Sequence, residues 1–146
     1  MKVLLAGLLC MAALCFAAQG NDTSHAIHVD ITGLRNDKGQ VLCDLFSSAE
    51  AFPAKPERAN AHVVAAISQG RASCDFRNLP PGRYAISVVH DENRNGRLDR
   101  FLGIPSEGVG TSRDARGHLG PPRFDDAAFD YAGGTLNLSV TMVYLL

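Results

Sequence analysis

Apolar and polar residues alternate with a period of two in several segments of this chain, most clearly at residues 26–32 and 135–145, and this alternation is the strongest constraint on its fold. The period is typical of half-buried β-strands, whose successive side chains point to opposite faces of a sheet. No segment shows the sustained 3.6-residue period of an amphipathic helix. Three segments could each hold a short helical turn, at residues 49–54, 59–66 and 125–131. The sequence therefore predicts an all-β fold.

Turn residues divide the alternating segments into separate strands. The predicted strands lie at residues 26–32, 40–47, 62–68, 71–76, 83–90 and 135–145. Asn-Asp-Lys-Gly at residues 36–39 predicts a hairpin that pairs the first two strands antiparallel. Pro-Pro-Gly at residues 80–82 predicts a rigid turn. This spacing favours an antiparallel β-sandwich of about seven strands, as in immunoglobulin-like folds, with the strand order left open. The Leu-Pro-Pro-Gly turn at residues 79–82 also resembles those of transthyretin-like modules, which implies the same kind of sandwich.

The first 20 residues predict a secretory signal peptide. Lys2 is followed by an uncharged apolar run, Val3 to Ala18, which is shorter than the ~20 residues of a membrane-spanning helix. We expect cleavage after Gly20 or Ala17, where small residues follow the run. A retained membrane anchor is the alternative. After cleavage, residues 21–146 would form a single β-sandwich domain, periplasmic or secreted, with no integral membrane segment.

The charge balance argues against a nucleic-acid partner. The whole sequence has 14 Lys+Arg and 15 Asp+Glu, and residues 21–146 keep 13 of the basic and all 15 of the acidic residues. Binding to phosphates needs a surplus of clustered Lys and Arg, which this sequence lacks. A domain of this length buries enough surface to fold without a metal or a partner.

Cys43 and Cys74 are the cysteines that remain after signal cleavage. Each is in phase with the apolar residues of its predicted strand, so both side chains should point into the core. An even pair in an exported protein predicts a disulfide, which would close a loop of about 30 residues. The alternative is two separate buried thiols.

Residues 91–124 hold most of the Gly and Pro that follow residue 90 and show neither strand nor helix period. They therefore predict one long Gly/Pro-rich loop. Long ordered loops in compact domains are usually functional. Residues 91–99 read D-E-N-R-N-G-R-L-D, which matches the first nine positions of a calcium-binding loop.

Residues 91–99 predict a calcium site because alternate positions carry the oxygen ligands that calcium prefers. The motif's twelfth position holds Leu102 instead of Glu, so Glu92 or Glu107 would have to supply the missing ligand. The alternative is that the Asp and Asn side chains make Asx-turn hydrogen bonds and bind no metal. The predicted metal ligands are Asp91, Asn93, Asn95, Arg97 through its backbone carbonyl, and Asp99.

Catalytic motifs are absent from the sequence. It has no nucleophile elbow, zinc-protease motif, phosphate loop or complete dinucleotide fingerprint. His90 is the histidine at the mouth of the long loop, so a small hydrolase would use His90 with Ser106 or Glu107, or with Ser112 and an acid such as Asp114. We therefore predict no catalytic residues and keep the hydrolase as an alternative.

The segments at residues 79–86 and 89–99 resemble a bacterial family known as domain of unknown function 2141. The resemblance covers about residues 25 to 145, and it departs at residues 108–112, where an aromatic residue is expected after the second glycine. It implies an exported protein with one sandwich-like domain and no established activity. Further similar stretches lie at residues 103–108, 120–124 and 127–129.

Together these features predict an exported, non-enzymatic β-sandwich module with a binding or accessory role. Its partner would be a protein or a glycan, its recognition surface the loop at residues 91–124, and its possible cofactor a calcium ion that stiffens that loop. The alternatives are a small periplasmic hydrolase and a purely structural envelope protein.

Overall fold

The computed structural model describes residues 25–146, and the predicted signal peptide, with Cys10 and Cys15, lies outside them. Within this range the chain forms one short α-helix, α1 (Phe124–Ala127), and 3-10 turns at Pro56–Arg58 and Ser112–Asp114. No helix of the described residues is long and apolar enough to cross a membrane. The strands confirm the predicted all-β class. They are β1 (Ala26–Thr32), β2 (Gln40–Phe46), β3 (Ala61–Ala65), β4 (Ala72–Arg77), β5 (Gly82–Asp91), β6 (Arg100–Phe101), β7 (Ile104–Pro105), β8 (Gly108–Thr111), β9 (Phe129–Tyr131) and β10 (Thr135–Thr141).

The strands form two larger sheets and one small hairpin. The three-stranded sheet has the order β10-β1-β4, and the five-stranded sheet has the order β3-β2-β5-β8, with β9 also paired to β5. β6 and β7 pair as a hairpin. β1 and β10 run parallel, with Ala26 opposite Thr135, while the other strand pairs are antiparallel.

The predicted hairpin between the first two strands is wrong. β1 belongs to the three-stranded sheet and β2 to the five-stranded sheet. The turn residues do act locally, since the side-chain oxygen of Asn36 accepts a hydrogen bond from the backbone N–H of Lys38 (2.9 Å). The connection still crosses between the sheets, because Leu34 packs into the core that they share. Turn chemistry determines the local conformation but not the sheet that the next strand joins.

The core lies between the two sheets and is built from alternate residues of their strands. β1 contributes the fully buried Ile27, Val29 and Ile31, and β2 contributes Val41 and Leu45. This is the period-two pattern of the sequence, with one face of each strand removed from water.

A disulfide joins Cys43 to Cys74 and confirms that prediction. Cys43 lies on β2 and Cys74 on β4, so the bond links the two sheets through the core. Both residues are buried, as their phase in the strand pattern predicted.

The predicted long loop contains strands, and this raises the strand number above the predicted seven. β6, β7 and β8 all lie within residues 91–124, and β8 extends the five-stranded sheet at the edge of β5. Strands of two to four residues are too short to show a period, so they could not be recognised from the residue pattern.

The outer faces of the two sheets differ in polarity. On the three-stranded sheet, His28, Asp30 and Asp75 point outward and are at least partly exposed. On the five-stranded sheet, Leu42, Val89 and Val109 occupy one row across β2, β5 and β8. The outer face of the five-stranded sheet therefore carries an apolar row, whereas the outer face of the three-stranded sheet carries charged side chains.

Candidate functional site

Asp91 anchors the start of the predicted calcium segment, residues 91–99, which we call the Asp-Asn loop. It lies at the end of β5 and is fully buried. Its carboxylate accepts hydrogen bonds from the backbone N–H groups of Asn95 (3.0 Å) and Gly96 (2.9 Å) and from the side-chain amide of Gln40 (2.8 Å). A buried carboxylate needs such partners, and both oxygens of Asp91 have them.

The other side chains of the Asp-Asn loop bond to one another. The amide nitrogens of Asn93 and Asn95 donate to the carboxylate of Asp99 at 2.7 and 2.9 Å. The bond from Asn95 is the main reason that the pKa of Asp99 is lowered. The amide oxygens of Asn93 and Asn95 accept from the backbone N–H groups of Asn95 and Arg97. The structure thus brings the predicted ligands together in the Asx-turn pattern.

Glu107 and Glu92, the two acids that could have completed a calcium site, are engaged elsewhere. The carboxylate of Glu107, 5% exposed, accepts from the backbone N–H groups of Glu92 (2.9 Å) and Asp99 (3.1 Å). The Glu92 carboxylate binds the guanidinium of Arg35 and the amide of Asn36. The bond to Arg35 is the largest cause that lowers the pKa of Glu92 to about 2.

Among residues 25–146, no group of three or more His, Cys, Asp or Glu side chains is arranged to hold a metal ion. The predicted calcium set contains only two carboxylates, Asp91 and Asp99, and takes its other oxygens from amides and a carbonyl. Calcium binding by the Asp-Asn loop stays a prediction.

His90, the predicted hydrolase base, is fully buried and bonded at both ring nitrogens. Nε2 lies 2.8 Å from the carbonyl oxygen of Lys38, which can only accept, so Nε2 carries the proton. In the neutral ring Nδ1 then accepts from the hydroxyl of Tyr144 at 2.7 Å. The same hydroxyl accepts from the backbone N–H of Arg35 (3.0 Å). His90 therefore holds the C-terminal segment against the β1–β2 connection.

The candidate nucleophile Ser112 accepts a hydrogen bond from the backbone of β5 where no neighbouring strand does so. Its hydroxyl accepts from the backbone N–H of Ile86 (2.9 Å) and donates to the carbonyl of Ala127 (2.6 Å). Ile86 lies between the stretches of β5 that pair with β8 and with β9, so Ser112 satisfies the strand group that neither neighbour reaches. Asp114, the candidate acid, accepts from the backbone N–H of Thr141 (2.8 Å).

Ser106, the other candidate nucleophile, contributes its backbone to the loop. Its N–H donates to the carbonyl of Asp99 (3.0 Å), and its carbonyl accepts from Arg35 (3.3 Å). None of the hydrogen bonds of the described residues joins His90 to Ser106, Ser112 or Glu107. The proposed hydrolase residues are not arranged as a nucleophile and its base.

A groove of about 720 Å³ lies on the outer face of the five-stranded sheet, under the parts of residues 100–122 that flank β8, which we call the covering segment. Its floor includes Val89 and Val109, and further walls come from Leu98, Ile104 and Leu145. The sequence predicts a recognition surface at residues 91–124 but not this groove, since the groove also takes lining residues from β5 and from the C-terminal segment.

The β6–β7 hairpin contributes Ile104 to the lining of the groove and exposes further apolar side chains near its tip. Its tip residues Leu102 and Gly103 both have positive φ, at 49° and 81°. This is the conformation of a tight hairpin turn that favours Asn or Gly over Leu. Leu102 is 86% exposed and Phe101 64% exposed, so neither side chain is explained by packing in the core.

The turn Gly117-His118-Leu119-Gly120 presents a further apolar side chain. A Cβ on Gly117 would lie 1.8 Å from the carbonyl oxygen of Gly120, so only glycine allows the chain to turn this tightly. Leu119 is fully exposed as a result. The signal in the sequence that could have indicated this surface is the presence of large apolar residues in a Gly/Pro-rich loop.

Polar side chains occupy specific places in the groove. Ser87 and Thr111 form a rung of the floor, next to the rung of Val89 and Val109. Ser87 is 6% exposed, and within the described residues its hydroxyl makes no protein hydrogen bond. The cationic and titratable residues of the walls are Arg100, Arg116 and His118, and the lining includes no Asp or Glu.

Comparison with known proteins places most of the chain in one family model. The model described as an uncharacterized protein conserved in bacteria (DUF2141) matches residues 29–139. No curated protein matches the chain. Among solved structures, the chain is similar to a DUF4876 family protein from Bacteroides thetaiotaomicron, with 16% identity and a TM-score of 0.37. The match covers 82% of this chain and 23% of that one, so the chain spans less than a quarter of that protein's length.

Proposed function

The chain belongs to this bacterial family of uncharacterised proteins, and from that premise we propose that it is an exported β-sandwich module that binds an apolar ligand in the groove under the covering segment. The observation that carries the proposal is the groove itself. Its volume, about 720 Å³, lies within the range of small-molecule sites, roughly 300 to 1,000 Å³.

The distribution of exposed apolar side chains supports a binding role. The described residues include seven large apolar side chains that are exposed, and four of them belong to the covering segment. Leaving such side chains in water gives up the free energy of burying them, so their accumulation in one segment supports a binding role for that segment. These four are Phe101, Leu102, Ile104 and Leu119.

Export is supported by the disulfide and by the N-terminal sequence. Disulfides persist mainly in oxidising compartments, and Cys43 and Cys74 are paired. The apolar run after Lys2 has the length and small-residue ending of a secretory signal. The proposed location is the periplasm or the medium.

A binding role without catalysis is supported by the groups that a hydrolase would need. The polar side-chain atoms of His90 and Ser112 make hydrogen bonds within the protein. Glu107 does the same with two backbone N–H groups. A general base must be within reach of the proton that it removes, and here those positions are already filled.

The shape of the site refines the expected partner. From the sequence we expect a protein or glycan partner and, as an alternative, a structural protein whose loop has no concave pocket. A groove of this volume instead favours a compact apolar ligand, since small-molecule sites have volumes of roughly 300 to 1,000 Å³.

Titration with the neutral apolar dye Nile red tests the proposal, because dye fluorescence rises when it leaves water. We expect saturable binding that Ile104→Asp weakens at least tenfold. The matched control is Val64→Asp, since Val64 is 52% exposed and lies outside the groove, whereas Ile104 is 44% exposed and lines it. Absence of saturable binding, or equal weakening by both variants, would contradict a binding role for the groove.

A further inference from the structure

We propose that the ligand of this groove is a single-chain anionic amphiphile, whose apolar tail lies over Val89 and Val109 and whose acidic head group lies at the end formed by Ser87 and Arg116. This inference rests on the proposed function and adds the chemical class and the orientation of the ligand. It follows from how polarity changes along the floor, from the charge of the walls and from the hydroxyl of Ser87.

The floor of the groove changes from polar to apolar within one rung. Ser87 is paired with Thr111, and Val89 with Val109, on the same face of β5 and β8. Residues two apart along a strand are separated by roughly 7 Å, about the length of a short segment of hydrocarbon chain. A ligand that covers both rungs must therefore carry polar atoms at one end and carbon at the other.

The walls extend this polarity. Leu98, Ile104 and Leu145 line the groove and add to its apolar surface. The hydroxyl of Thr111 donates a hydrogen bond to the carbonyl of Ala115 (2.9 Å). This bond holds the backbone next to Arg116 close to the polar rung of the floor. A glycan would bring hydroxyls to every wall, and burying them without partners costs free energy.

The charge of the walls selects an anion. The lining holds Arg100 and Arg116 and no Asp or Glu. Asp44 lies opposite Ser87 on β2 but does not line the groove, and its carboxylate is paired with the ring of His62. Arg100 donates only to the carbonyl of Gly103 (3.2 Å), and Arg116 has no hydrogen bond or ion pair with the described residues. Guanidinium groups bind carboxylates and phosphates through paired N–H donors. Elsewhere in residues 25–146, six arginines do lie within 4 Å of a carboxylate, namely Arg35, Arg58, Arg77, Arg83, Arg97 and Arg123.

Ser87 supplies an independent observation at the same end. Ser87 is 6% exposed and lines the groove, and its hydroxyl makes no hydrogen bond with the described residues. No fully buried side-chain oxygen or nitrogen of these residues lacks a partner, so this hydroxyl is open to the groove and can donate to a ligand. An oxygen of an acidic head group held by Arg116 would accept from Ser87.

Calorimetric titration with two probes of equal tail length tests the inference, using dodecanoate and dodecyltrimethylammonium below their micellar concentrations. We expect dodecanoate to bind at least tenfold more tightly. Arg116→Gln should weaken dodecanoate at least tenfold and leave the cationic probe unchanged. The matched control is Arg94→Gln, because Arg94 is also exposed and without a carboxylate partner, and does not line the groove.

The outcomes separate this inference from the proposed function. Equal binding of both probes, unaffected by Arg116→Gln, overturns the acidic head group and leaves an apolar binding groove. Nile red binding without binding of either probe overturns the amphiphile. Absence of binding by all three molecules overturns the proposed function as well.

Two further measurements address other occupants. The first is co-sedimentation of the protein with phosphatidylglycerol vesicles. If the protein binds the vesicles but not monomeric dodecanoate, the surface binds a membrane and the inference is overturned. A dimer in sedimentation velocity that Ile104→Asp dissociates would assign the groove to a second copy of the chain, with the same result.

Discussion

The Asp-Asn loop and the covering segment are consecutive parts of one connection, and they use their side chains in opposite ways. Residues 91–99 direct their carboxylates and amides at the loop's own N–H groups, so its polar atoms are paired within the protein. Residues 100–122 leave large apolar side chains in solvent beside a groove. Asp and Asn side chains in the order of a calcium motif can thus make hydrogen bonds within the protein, while apolar side chains that belong to no motif form the accessible surface.

The Asp-Asn loop is held in place from outside as well. Gly39, at φ 73°, lies so close to the end of β5 that a Cβ there would be 2.0 Å from the carbonyl oxygen of Asp91. Arg35 reaches from the same connection to Glu92 and stacks on the ring of Tyr144, 4.6 Å from its centroid. The β1–β2 connection therefore stabilises the loop, whereas the side-chain hydrogen bond at the tip of the β6–β7 hairpin, from Arg100 to the carbonyl of Gly103, lies within the hairpin itself.

Removing the anchor of the Asp-Asn loop should have the largest effect on stability. Asp91→Ala leaves three donors without their acceptor, and we expect the free energy of unfolding to fall by about 3 kcal/mol or more. Urea unfolding followed by circular dichroism measures the loss. The control Asp125→Ala, at a side chain that is 70% exposed, should change it by less than about 0.5 kcal/mol. A loss below about 1 kcal/mol for Asp91→Ala would contradict the anchoring role.

Calcium tests whether the Asp-Asn loop also binds an ion. For a weak site with a Kd near 1 mM, about 10 mM calcium would add roughly 1.4 kcal/mol to the free energy of unfolding and raise the Tm. Magnesium should not reproduce the rise, and Asp99→Ala should abolish it. Identical melting curves in calcium and in chelator would assign the loop to hydrogen bonding alone.

Protonation of Glu92 should weaken the link between the loop and the β1–β2 connection. The pKa of Glu92 is lowered from 4.5 to about 2, so its ion pair with Arg35 stabilises the fold above the ordinary pKa and loses this effect as the pH falls toward 2. Glu92→Gln should cost about 1 kcal/mol at pH 7 and much less near pH 2.

The matched control for Glu92 is Glu50→Gln. Glu50 also pairs with an arginine, but its side chain is 77% exposed, so we expect a negligible cost at either pH. Urea unfolding at several pH values measures the difference. A cost for Glu92→Gln that is the same at pH 7 and pH 3 would show that its charge does not matter.

Polar substitution in the covering segment should have the smallest effect on stability. Leu119→Ser changes a fully exposed side chain, and we expect the free energy of unfolding to stay within about 0.5 kcal/mol of the parent value. Thermal unfolding by calorimetry measures it. A loss above about 1 kcal/mol would mean that Leu119 stabilises the fold, and the contrast between the two regions would disappear.

Much of the fold was predictable because its signals are local. Burial of one strand face imposes period two on the residues themselves, so the major strands and the inward direction of Cys43 and Cys74 could be predicted. Strand partners could not, because the turn at residues 36–39 has the same chemistry whether the chain returns to its own sheet or crosses to the other.

The candidate site divides in the same way. The sequence by itself determined the Asp-Asn loop, because Asp, Asn and Gly at alternate positions act on N–H groups only a few residues away. Only the tertiary structure decided that the side chains of Glu107, His90 and Ser112 make hydrogen bonds within the protein and that Ser87 faces a groove. Those roles depend on atoms that are distant in the chain and become neighbours only when two sheets and the covering segment pack together.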